Sequence, residues 1–235
     1  GEEVEDLNAD QRIWLRHILC AADGFSDPPG IKVRPASGLA AVDFLSVNPL
    51  ARKATYVFGH VIHELALAGY TSNNLDAAPY DWRLPPEKLE ERDYYFSTLR
   101  ARVQLMREAN KERVVLMAHS MGNRTVQYFL KWILTQPQFG QKWIDENVHA
   151  FFALGPPFLG ATKTIRAVVS GDCMGLEVFL TPEEGRTMAR GSGSLPWLFP
   201  IQEDLFPDIV AHVRDDSKPE DPNQISNDVI TDSYS

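Results

Sequence analysis

Cysteine is nearly absent. Cys20 and Cys173 are the only two in 235 residues, too few for a disulfide framework. One long-range bridge and two buried thiols both remain open. No apolar run reaches the roughly 18 residues that span a bilayer, so no transmembrane helix is read here. An excess of basic residues is also missing. Net charge is −9, which argues against a nucleic-acid surface. From Glu203 onward nine acidic residues face two basic ones, so much of that charge is local. Internal repeats are absent. Metal-site spacing is absent too: His60-Val61-Ile62-His63-Glu64 is neither H-E-x-x-H nor its inverse. The chain opens at Gly1 without methionine or a leader. It reads as a processed or excised piece, so the missing leader says little about targeting.

What is present is a core-forming chain, 44% hydrophobic, with alternating helical and extended patterns. Helices are expected over residues 11–22, 54–68 (with Gly69 closing it), 89–109 and 124–134. Strands are expected over 75–80, 114–118 and 148–154, the last a continuous apolar run of the kind seen in buried parallel strands. This alternation predicts an α/β fold, a mainly parallel sheet with helices on both faces. Thr181-Pro182-Glu183-Glu184 reads as a capping box with proline at the first helical position. Gly191-Ser192-Gly193-Ser194 reads as a flexible stretch. Residues 1–210 are assigned to the globular part and 211–235 to an acidic, disordered tail.

The most informative stretch is Ala118-His119-Ser120-Met121-Gly122. An apolar strand precedes it and an amphipathic helix follows. A serine between a strand and a helix, with small residues two places either side, is a nucleophile elbow. Such a turn lifts the serine hydroxyl clear of the sheet. It also aims the backbone N–H of Met121 at the place where an oxyanion forms, beside the positive end of the helix dipole.

Several further segments match one family in the same order. They are Pro29-Gly30-Ile31-Lys32-Val33-Arg34, Ala77-Ala78-Pro79-Tyr80-Asp81-Trp82-Arg83, the elbow, and LGPPFLGA at 154–161. Ser170-Gly171-Asp172 and SLPWLFP at 194–200 complete the set. Over residues 14–200 the chain resembles the lecithin:cholesterol acyltransferase family, closest to its eukaryotic intracellular branch. The resemblance implies an α/β-hydrolase fold truncated here at both ends. It implies a Ser120 acyl-enzyme, a phospholipid donor and a sterol or diacylglycerol acceptor. A membrane surface and an endoplasmic-reticulum or other intracellular location also follow from it. No metal or cofactor is implied. The family's triad aspartate and histidine motifs find no match in this chain, and its first oxyanion donor lies on a strand before Gly1. Taken alone, residues 1–235 are therefore expected to be nearly inactive.

Other residues carry two readings each. His119 adjoins the nucleophile; a role in the pocket wall is favoured over a role as base. His149 is read as structural at the start of a buried strand, and His212 as a solvated tail residue rather than a triad member. Tyr80 and Trp82 are candidate substrate contacts. Asp81 and Arg83 are read as holding their loop through paired hydrogen bonds. Residues 179–194 align with the family's lid, with a plain surface excursion as the alternative. Trp14, Ile18, Leu19 and Phe25 fall where the family touches membrane, though core packing explains such residues more often. Three functions are weighed: an acyltransferase, a phospholipase or esterase of the same fold, and a catalytically incomplete lipid-binding or interaction fragment.

Overall fold

The computed structural model describes residues 17–43, 57–173 and 180–201. The chain forms two compact units, one of residues 29–156 and one of residues 1–28 with 157–235. Among the described residues no helix is long and apolar enough to cross a membrane. The tail at 211–235, His212 and Trp14 lie outside the described residues, as do residues 11–16 of the helix expected over 11–22; its described remainder is helical only at 17–18, and the chain bends away from residue 19 on.

The first unit carries α1 (Ala40–Asp43), α2 (Gly59–Leu67), α3 (Pro86–Asp93), α4 (Tyr95–Asn110), β1 (Val114–His119), α5 (Met121–Thr135), α6 (Gly140–Asn147) and β2 (Val148–Leu154). β1 and β2 pair in parallel, with Leu116 opposite Phe151 and His119 opposite Leu154. The alternation thus produces a mixed fold around a small parallel sheet. Gly69 follows α2 at φ +96°, a conformation that suits glycine.

Aromatic side chains fill the core between α4, α5 and α6. Phe96 stacks on Phe129 at 6.2 Å between ring centres, and Phe129 meets Trp143 edge-on at 6.0 Å. Phe96, Phe129 and Ile133 are fully buried. Their spacing on each helix is the apolar stripe visible in the sequence.

Three expectations fail here for physical reasons. The long helix at 89–109 is two helices, broken at Tyr94, which takes a left-handed conformation at φ +51°. Helical periodicity cannot reveal this break, because Glu90 supplies the cap for the second helix. Its carboxylate accepts from the Phe96 and Ser97 amides at 2.8 and 3.0 Å and from the Ser97 hydroxyl. The strand expected at 75–80 is not one. The Ala77 and Ala78 carbonyls accept from Arg102 and Tyr95 side chains, and the Ala77 amide donates to Asp76. With Pro79 lacking an N–H, this segment has no ladder to offer. Lastly, the strand at 148–154, expected to be buried, is partly exposed among the described residues. Val115, Met117, Phe152 and Leu154 share one face by period-two alternation, and each is between 38 and 54% exposed. His149, expected in a buried strand, is exposed and lies 3.2 Å from Arg113.

The second unit carries α7 (Thr162–Ser170), α8 (Pro182–Arg190) and α9 (Ser194–Trp197). Both halves of the Thr181–Glu184 capping box are formed. Gly171, at φ +77°, lets α8 approach: a Cβ there would stand 1.7 Å from the Pro182 carbonyl oxygen. Cys173, Leu180 and Met188 form a buried cluster onto which Ile18 and Leu19 pack. Those two residues therefore serve the core of this unit. Both cysteines are thiols rather than a bridge. The stretch at 191–194 is packed, with Ser192 and Ser194 buried and the Ser192 hydroxyl donating to the Met188 carbonyl. Flexibility inferred from composition is overridden there by burial.

Replacing Glu90 by alanine removes the side-chain cap of α4. It should lower stability by about 1–2 kcal/mol, measured by denaturant unfolding, with glutamine recovering part of the loss.

Candidate active site

β1 ends at His119, and α5 begins at Met121. Ser120 alone makes the turn between them, at φ +50° and ψ −126°. A non-glycine residue in that region carries strain of roughly 1–3 kcal/mol and needs surroundings that enforce it. Here they do. The Ser120 amide donates to the Leu154 carbonyl at 3.0 Å, which joins the turn to the end of β2. The Asn123 amide donates to the Ser120 carbonyl at 3.1 Å. The Asn123 side-chain nitrogen donates to both carbonyls, at 2.9 Å each. Each such bond contributes about 1 kcal/mol net, enough together to offset the strain. Ala118 is buried, and a Cβ added to Gly122 would meet the Ala118 Cβ at 3.5 Å. That is an ordinary van der Waals contact, so the two small residues of the motif sit against each other and a Cβ at 122 would be accommodated.

The Ser120 side chain is exposed. Met121 is the first residue of α5, so its N–H has no intrahelical acceptor. His119 is exposed, and its ring packs edge-on against Phe58 at 6.4 Å. Among the described residues no histidine hydrogen-bonds Ser120. Beside the elbow runs a mainly apolar groove of about 870 Å³. Tyr80, Ala118, His119 and Gly122 line it, with Phe58 and Val61 among the apolar residues. Trp82 is not among its lining residues and is 39% exposed. The structure therefore brings Tyr80 and His119 to one groove and leaves Trp82 out of it. His60 and His63 are both exposed on α2. Among the described residues no group of three His, Cys, Asp or Glu side chains is placed to hold a metal.

The Tyr80–Arg83 loop is pinned by charge. Asp81 and Arg83 are almost fully buried. Arg83 grips the Asp81 carboxylate with two donors, Nε at 2.8 Å and Nη2 at 2.6 Å, and Arg92 adds a third at 2.7 Å. Arg92 in turn bonds Asp93, which also pairs with Arg34 at 3.0 Å. Arg34 and Arg92 were not identified from the sequence as partners of this loop. Their distance along the chain gives no cue. Burial by itself would raise the Asp81 pKa, but the bonds from Arg83 and Arg92 outweigh it and hold the carboxyl below its ordinary value. Burial pushes the Tyr80 phenol up, partly offset by a side-chain hydrogen bond with Thr125 on α5.

The family model for lecithin:cholesterol acyltransferase matches residues 4–232. The chain belongs to that family. It is 34% identical to a phospholipid:diacylglycerol acyltransferase of Schizosaccharomyces pombe, over 83% of this chain and 32% of that protein. It is 33% identical to an Arabidopsis thaliana phospholipid–sterol O-acyltransferase, over 81% of this chain and 30% of that protein. A mouse lysosomal phospholipase A and acyltransferase is 38% identical, over 74% of this chain and 40% of that protein. The matched region is thus about a third of the length of the first two relatives.

Asn123 is the residue that sequence reasoning missed. Its place three residues after the serine was legible, but its two acceptors, Ser120 and Leu154, meet only in the folded chain.

Asp81→Asn should cost about 3–5 kcal/mol, because it leaves Arg83 buried without its counter-charge. Since the folded pKa of Asp81 lies below the unfolded one, its contribution is full at neutral pH. It fades as pH drops below the ordinary carboxylate value and vanishes below the lowered folded value. Unfolding curves of both proteins between neutral pH and pH 2 should therefore converge toward the acid end.

Proposed function

We propose that the complete protein carrying this chain adopts the α/β-hydrolase fold. In this reading it moves a fatty acyl group from a phospholipid to a sterol or diacylglycerol hydroxyl. The Ser120 Oγ attacks the ester carbonyl carbon of the phospholipid. The Ser120 hydroxyl proton passes through the base to the glycerol oxygen as its bond to the carbonyl carbon breaks, the lysophospholipid leaves, and the acyl group stays on Ser120. The acceptor hydroxyl then attacks the acyl-serine, its proton passes through the base to the Ser120 oxygen, and the serine is regenerated with the new ester released. The Met121 N–H stabilises the oxyanion in both halves. The observation that carries this reading is the strained, hydrogen-bonded turn at Ser120 with the first N–H of α5 directly after it. The names of the relatives supply the donor and acceptor classes.

Tyr80 and His119 are assigned to the wall of the lipid site, on the strength of the groove they line. Trp82, exposed outside the groove, is assigned to the entering lipid surface. The base and its acid are assigned to parts of the complete protein beyond residues 1–235. The working location is the surface of an intracellular membrane, such as the endoplasmic reticulum, where donor and acceptor are both dissolved. Residues 179–194 would act there as a lid. The formed capping box and the packed α8 favour a helix that moves as a unit over one that melts. A second reading, with water as acceptor, is favoured by the phospholipase A activity in the name of the mouse relative.

A labelled fluorophosphonate tests the site. The complete protein should react and its Ser120→Ala variant should not, while residues 1–235 alone should remain unlabelled. Removing a triad member costs on the order of 10⁶ in kcat in a serine hydrolase. Labelling of the short chain would mean that the base lies within it, with His212 as the first suspect. Mixed-lipid assays then separate the two readings: ester formed on the sterol or diacylglycerol marks transfer, and free fatty acid alone marks hydrolysis.

A further inference from the structure

We infer that Asn123 is a positioning residue: its carboxamide holds the Ser120–Met121 peptide so that the Met121 N–H points at the developing oxyanion. This rests on the reading of Ser120 as nucleophile and adds to it a residue that never touches substrate.

The geometry is specific to a carboxamide. Two carbonyl oxygens, from Ser120 and Leu154, lie 2.9 Å from one side-chain atom of Asn123. Only a group with two hydrogens can satisfy both, so that atom is the nitrogen, and each of its hydrogens takes one carbonyl. A carboxylate has no donor for either. A hydroxyl has one.

The consequence follows from the planarity of the peptide bond. The Ser120 carbonyl and the Met121 N–H belong to one peptide unit, and in a trans peptide they point in opposite directions within one plane. No cis peptide is present among the described residues. Fixing the carbonyl from one side therefore fixes the N–H on the other. The Ser120 carbonyl accepts from both the side chain and the backbone amide of Asn123. Two donors define its direction far better than one. They also polarise the peptide, which strengthens the donor at its other end. The second hydrogen of the carboxamide goes to Leu154, so the same group references the turn to the sheet.

The burial of Asn123 supports a role beyond packing. It is fully buried, and its Oδ1 has no hydrogen-bond partner. A stranded buried acceptor destabilises a fold, and an apolar side chain of the same shape would avoid the loss. The unpaired oxygen cancels part of what the two donated bonds contribute, which fits a group retained for the two hydrogens on its nitrogen.

Folding does not depend on those two hydrogens alone. Without them the Leu154 carbonyl still accepts from the Ser120 amide, and the Ser120 carbonyl from the Asn123 amide. Asn123→Leu thus removes the clamp and leaves each carbonyl one backbone donor. Asn123→Asp keeps the shape and replaces the nitrogen with its two hydrogens by one oxygen that both carbonyls repel.

The test uses the complete protein, with Ser120→Ala as reference. Thermal unfolding, the rate of fluorophosphonate labelling, and kcat and KM on phosphatidylcholine vesicles containing the acceptor are measured for both Asn123 variants. Asn123→Leu should unfold cooperatively near the wild-type midpoint. Its labelling rate and kcat should fall at least tenfold with KM unchanged, the pattern of an interaction made only in the transition state. Asn123→Asp should fall further. A folded Asn123→Leu that labels and turns over at the wild-type rate overturns the inference, as does a rise in KM with kcat intact. Loss of cooperative unfolding in both variants also overturns it, since the carboxamide is then a folding residue. Labelling that survives Ser120→Ala overturns the nucleophile reading itself, together with everything built on it.

Discussion

The carbonyl oxygen of Leu154 is the point on which the site depends. It ends β2, and it accepts from both the Ser120 amide and the Asn123 side chain. Through it the last residue of one strand dictates how the neighbouring strand turns into a helix. A serine at φ +50° has no local reason to stay there. It stays because the parallel register places Leu154 opposite His119, with the oxygen within reach of the next amide. The strain is local, and the restraint comes from a strand some thirty residues away.

The surroundings of the turn are rigid for different reasons on different sides. Behind it, α5 is anchored in an aromatic core shared with α4 and α6, where Phe96 and Phe129 are fully buried. To one side, the Tyr80–Arg83 loop is held by a chain of alternating charges from Arg34 through Asp93, Arg92 and Asp81 to Arg83. A buried ion pair is rarely a net source of stability compared with apolar packing. Here its value is positional: it gives a segment without ladder hydrogen bonds a single conformation, next to the point where the Tyr95 hydroxyl on α4 donates to the Ala78 carbonyl. The contrast with the sheet is instructive. One face of β1 and β2 leaves Val115, Met117, Phe152 and Leu154 partly exposed, although their sequence is that of a buried strand. The elbow is thus fully specified within a unit whose sheet is only partly covered by the described residues.

Much of this was legible beforehand. The elbow, the helix after it, the strand over 148–154 and the Thr181 capping box follow from spacing and from residue chemistry. So does the pairing of Asp81 with Arg83, two residues apart. The failures share a cause. Periodicity reports that a residue has an apolar face and does not report what lies against it. Hence the pattern of 148–154 reads as a buried strand although His149 and Phe152 are exposed, and 75–80 reads as a strand although it forms none. Likewise, a helical repeat runs straight through Tyr94, because the break is made by a left-handed turn and capped by Glu90, and neither changes the apolar pattern.

The sequence by itself determined the strand and helix that flank the elbow, the nucleophile candidate and the family, since each depends on residues close together or on motifs in series. Only the tertiary structure decided which donors and acceptors meet across long separations. Asn123 with Leu154, Arg92 with Asp81, and Tyr95 with the Ala78 carbonyl are such meetings. A hydrogen bond requires partners within about 3 Å. Position along a chain does not constrain that distance until the strands are paired and the helices packed.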